Sequence, residues 1–185
     1  MSYDFLLRKR KADEEPIVTA RADSDGLPTT PPDTQKETLK RKVAGALLTR
    51  NPQLQIFQFD YAAVAKLQKI SEEQARITFR HLELNGPEEN CNGIQITLFD
   101  DEATVTVPFW HRGDKAADAF REIWEYLEII SREAGYLIYD PQIDRLIDPS
   151  ADFADTLACY TGALQQIQKT LSVGGTDRRQ WWKFW

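Results

Sequence analysis

Apolar and polar residues alternate from the start of the chain. In SYDFLL, Tyr3, Phe5 and Leu7 share one face, which predicts a strand over residues 2–7. The basic run Arg8, Lys9, Arg10, Lys11 ends it. Over residues 12–36 large apolar side chains are almost absent while Pro16, Pro28, Pro31, Pro32 and many Asp, Glu and Thr accumulate. Such a segment has little to bury and reads as a long mobile loop. The period then becomes helical. Asp33 or Thr34 can cap a helix reaching about Arg50, with Leu39, Val43, Ala46 and Leu47 on one stripe and Lys40, Arg41 and Lys42 partly facing water. Asn51-Pro52 stops it. A short apolar stretch over 54–59 leads to Asp60, a cap for the helical YAAVAKLQK, and Ser71 caps a third segment whose Glu72 and Glu73 suit a helix N-terminus.

Alternation returns after this point. Residues 80–84, 94–99 (IQITLF) and 104–109 (TVTVPF) predict three strands of an antiparallel meander, separated by NGPEENCNG and DDEA. Ile94, Ile96 and Leu98 share one face, as do Val105, Val107 and Phe109. Pro108 places the third strand at an edge or at its own end. The most strongly periodic helix covers about 115–134, with Phe120, Ile123, Trp124, Leu127, Ile130 and Ala134 at three- and four-residue spacing, and Gly135 terminates it. A buried-type strand over 136–139 follows, then a turn at Asp140-Pro141, and a last helix over about 151–171 closed by Gly174-Gly175. Together these elements predict one α+β domain over 1–185: an antiparallel sheet with helices packed on one face, a mobile loop at about 12–36 and an aromatic tail at 176–185.

Composition narrows the class of function. The chain has 185 residues, a net charge of −6 and a pI near 5.0, a balance that disfavours nucleic acid and suits a basic partner. YAAVAKLQKISEEQARITFR has the outline of a helix-turn-helix, yet Glu72 and Glu73 would meet phosphates with the wrong charge. No apolar run is long enough to span a bilayer, and the first ten residues lack a secretory pattern. Cys91 and Cys159 have no CxxC spacing, and Cys159 within TLACYTGAL reads as a small buried hydrophobe. A cytoplasmic location is expected.

Candidate chemistry is sparse. His81 and His111 stand outside any HxxxH, HxH or HExxH pattern, and no nucleophile elbow, Walker loop or GxGxxG segment occurs. No catalytic residue, metal site or cofactor is expected on these grounds. Asp100, Asp101 and Glu102 form a tight acidic cluster between two predicted strands, either a solvated hairpin turn or a recognition surface that Glu88 and Glu89 extend. His111, at the end of a strand, is placed to reach a rim, and a structural or solvated role is expected for it ahead of acid-base catalysis. The terminal WWKFW suits a groove on its own domain, a partner, or a membrane interface, for which only Arg178, Arg179 and Lys183 provide charge.

Four segments carry a family resemblance: the opening MSYDFLL, the central LNGPEENCNGIQITLFDDEATVTVPFW, AGYLIYDPQIDRLID, and WWKFW. In these the chain resembles small bacterial immunity proteins paired with polymorphic or type VI secreted toxins. The resemblance implies stoichiometric inhibition, in which the protein occludes a toxin's active site or blocks its movement. It carries over no site residues. On the charge balance the partner is a basic toxin or effector, and Glu88, Glu89, Asp100, Asp101, Glu102 and His111 are the candidate contact residues. Two alternatives stand beside this reading: an effector chaperone or adaptor, and an enzyme that reverses toxin damage with a dispersed active site around His111 and the acidic turn.

Overall fold

The computed structural model describes residues 2–21, 28–86 and 92–173. Glu88, Glu89, Cys91 and the aromatic tail therefore lie outside the described residues. Among the described residues there are seven strands: β1 (Ser2–Lys9), β2 (Gln55–Ile56), β3 (Leu82–Asn85), β4 (Gln95–Leu98), β5 (Glu102–Pro108), β6 (Tyr136–Asp140) and β7 (Arg145–Ile147). They form one sheet of order β2-β3-β4-β5-β1-β6-β7 in which every pairing is antiparallel. The expected meander is β3-β4-β5, and the N-terminal strand lies between β5 and β6. Pro108 ends β5, which is an inner strand.

Register decides which face is dry. Leu84 pairs with Ile96, Ile96 with Val105, and Val105 with Phe5, so these four side chains line one face. Each is fully buried. Helices α2 (Thr34–Arg50), α5 (Asp114–Ala134) and α6 (Phe153–Val173) contribute Leu47, Phe120, Ile123, Leu127 and Tyr160 to the same core. This is the expected α+β architecture. Asp33 caps α2 by accepting hydrogen bonds from the backbone N–H groups of Gln35 and Lys36, and Gly135 ends α5 with φ of 68°. Trp124 sits between Phe120 and Phe153, and its indole N–H donates to the Pro149 carbonyl at 2.9 Å.

The opposite face is mixed. Gln95, Thr104 and Thr106 make its centre polar, whereas Leu6 and Tyr139 pair at the β1–β6 end. Helix α1 (Pro16–Arg21) covers that end, touching β1, β6 and β7. Its Ala20 is buried and, like Tyr139, lies outside the main core cluster. The sequence predicts a loop here; instead Pro16 occupies a first helical position, where its missing N–H costs nothing, and one helical turn docks on the sheet. Two further short helices, α3 (Tyr61–Gln68) and α4 (Glu72–Thr78), connect β2 to β3 with the predicted Asp60 and Ser71 caps. No helix among the described residues is long and apolar enough to cross a membrane.

Candidate functional site

The acidic turn closes the β4–β5 hairpin, where the Phe99 N–H donates to the Glu102 carbonyl at 2.8 Å. Its carboxylates are matched with four cations from three other segments, β1, α2 and the end of α4. Asp100 accepts hydrogen bonds from the Arg80 guanidinium and lies 3.0 Å from the Lys40 ammonium. Asp101 pairs with Lys36, and Glu102 lies 3.2 Å from Arg8. Lys40 is buried, contrary to its expected water-facing position, and is held by Asp100, by Glu37 at 2.6 Å and by the Arg80 carbonyl at 3.0 Å. Burial opposes ionisation of Asp100, but hydrogen bonds from Arg80 and Lys40 outweigh it and hold the carboxyl below its ordinary 3.8. The turn is therefore an electrostatic junction between the hairpin, β1, α2 and the end of α4, and of its three acids only Asp101 is well exposed.

Beside the turn opens a cleft of about 460 Å³. Asp100, Asp101 and Glu102 form part of its wall, with Arg8, Lys9, Arg10, Lys11, Lys36 and Arg80 around them. His81 and Phe99 supply a ring surface. From these two a row of rings continues toward the sheet edge, with centroid separations of 5.2 Å for Phe99–His81, 4.9 Å for His81–Phe59 and 5.0 Å for Phe59–Phe57. Phe79 and Tyr61 flank Phe59. The row lies outside the main core, and its last member, Phe57, is 51% exposed. Its path follows from strand parity: His81 and Phe99 point to the face opposite Leu82, Leu84 and Leu98, while the Phe57 N–H bonds to the Glu83 carbonyl and brings the 57–61 segment alongside.

His111 is elsewhere. It follows the far end of β5, and at about 3.3 Å per residue the strand separates it from the acidic turn by about 20 Å. Its Nε2 donates to the Asn92 carbonyl, and the Asn92 amide donates to Glu122 at 2.6 Å. Glu122 also accepts from Asn51 and Tyr126, so this group of residues fastens the β3–β4 connection to α2 and α5. Trp110, beside His111, is 65% exposed and lies so close to Gly93 that a Cβ there would stand 2.3 Å from its ring. Gly93 has φ of 72°, a second reason that glycine belongs at this position. The structure thus brings together Asp100, Asp101 and Glu102 but places His111 at the opposite end of the sheet. A dispersed active site combining His111 with the turn is not assembled.

Sequence reasoning missed Arg8, Lys36, Lys40 and Arg80 as partners of the turn. Lys40 stands three, four and seven residues before Val43, Ala44 and Leu47, so helical spacing alone places it on the buried stripe. Among the described residues, no group of three or more His, Cys, Asp or Glu side chains is arranged to hold a metal ion. Comparison of the chain with protein-family models, with curated proteins and with solved structures finds no match.

Proposed function

We propose that this chain is an immunity-type inhibitor that binds a toxin in the cytoplasm of the producing cell and neutralises it by occlusion, using the row Phe57, Phe59, His81, Phe99 and the adjoining cleft as its contact face. The observation that carries the reading is the row itself. Aromatic side chains are large, stiff anchors that dominate many protein interfaces, and here they run from an exposed end to a rim of charged groups, the arrangement of an anchor cluster within a polar border. The resemblance to immunity proteins supplies the class of partner. The net charge of −6 supports attraction of a toxin that is basic overall.

The test is to express the toxin encoded beside this gene with and without the protein, and to measure binding with purified components. Protection accompanied by a stoichiometric complex is the expected result. Protection without a complex would transfer the role to an enzyme that reverses the damage, and a complex without protection would make the protein an effector chaperone or adaptor.

A further inference from the structure

The charge of the cleft differs in sign from that of the chain. Six cations, Arg8, Lys9, Arg10, Lys11, Lys36 and Arg80, line it against the three carboxylates of the turn. Arg8, Lys36 and Arg80 are matched by Glu102, Asp101 and Asp100. Lys11 pairs with Glu14 at 3.4 Å. Lys9 and Arg10 are exposed and enter no ion pair among the described residues. The basic run that closes β1 thus delivers two unneutralised charges to the mouth of a cleft whose inner charges are already balanced. Phe99 and His81 add an apolar and aromatic wall.

We infer that the cleft receives an acidic peptide segment of the partner, with carboxylates meeting Lys9 and Arg10 and an apolar or aromatic residue beside them resting on Phe99 and His81. The inference rests on the inhibitor reading and gives the bound segment its chemistry. It is compatible with a toxin that is basic overall, because net charge acts at long range on encounter whereas the cleft selects locally. Lys36 strengthens the site: its partner Asp101 is exposed, so an incoming carboxylate can share the ammonium without uncovering a buried charge.

A random short-peptide library selected against the full-length protein tests this without any toxin. Selected peptides should be enriched in Asp and Glu next to Phe, Tyr, Trp or Leu, and their binding should weaken as salt rises. The double variant Lys9→Glu, Arg10→Glu changes only exposed side chains and should weaken those peptides by about tenfold or more. Selection of basic peptides, the absence of acidic enrichment, salt-independent binding, or equal affinity in the double variant would overturn the inference. Competition by inorganic phosphate at equal concentration would also overturn it, making the cleft a small-anion site. Because the toxin takes no part, failure here is distinct from failure of the protection experiment, and each idea can fall alone.

Discussion

Asp100 and Asp140 show how two aspartates in one fold respond oppositely to pH. Asp100 has its pKa lowered by Arg80 and Lys40 against the opposing effect of burial, so the folded state binds fewer protons at this site than the unfolded chain. Its contribution to stability is present above the ordinary value of 3.8 and is lost as pH falls through the lower folded value. Asp140 is fully buried, and burial raises its pKa although Tyr3 donates to it at 2.5 Å and the Gln142 N–H at 2.9 Å. Its charge therefore costs stability as pH rises through the folded value. Asp100→Asn removes the carboxylate that Arg80 and Lys40 share, leaving Glu37 as the remaining partner of the buried Lys40, and should destabilise by about 3 kcal/mol at neutral pH, with a shallower loss of stability in acid. Asp140→Asn removes a charge that burial disfavours and should cost clearly less. Chemical denaturation from pH 7 down to about pH 3 measures both, and equal costs at neutral pH would contradict the assignment. The same residues mark a limit of reading sequence: adjacent Asp100, Asp101 and Glu102 were legible as a turn, but the cations that neutralise them come from positions 8, 36, 40 and 80, which only the fold brings together.

At the scale of elements, long periodic segments were legible and short ones were not. The α5 pattern sets its buried face, and Phe120, Ile123, Trp124, Leu127 and Ile130 are all buried as their spacing requires. Replacing Trp124 by Ala removes its contacts with Phe120 and Phe153 and its hydrogen bond to Pro149, and should cost about 3–5 kcal/mol in denaturation. Less than about 1 kcal/mol would contradict a central role for α5. Asp33→Ala removes the cap of α2 and should cost about 1 kcal/mol by the same measurement, with no change in the denaturant slope. Helix α1 escaped notice because a single turn, with Ile17, Val18 and Ala20 its only aliphatic side chains, shows no period above a Pro-rich and polar background. Strand β7 has three residues, too few to alternate, and is created by the turn in which Asp144 takes a φ of 53°. Both elements form because the sheet supplies a surface or an edge for them, information that local spacing does not contain.

At the scale of the whole molecule, the exposed aromatic side chains among the described residues, Phe57 and Trp110, stand toward opposite ends of one sheet. Phe57 and its row adjoin the charged cleft, whereas Trp110 stands beyond the far end of β5 with His111. Exposure alone would favour Trp110 as the partner anchor. The row offers more: four rings in contact, outside the main core and continuous with a rim of charges. Sequence showed the aromatic residues and the acidic balance but not this division, since Phe57, His81 and Phe99 become neighbours only through the β2–β3–β4 pairings. The most direct test is the affinity of the purified toxin for the protein and for two single variants, Phe57→Ala and Trp110→Ala, each shown to be folded by its denaturation curve. An interface on the aromatic row requires that Phe57→Ala weaken the complex by about 2 kcal/mol, roughly thirtyfold, and that Trp110→Ala leave it within about twofold of the parent. Loss of affinity in Trp110→Ala with none in Phe57→Ala would place the interface at the other end of the sheet and contradict it.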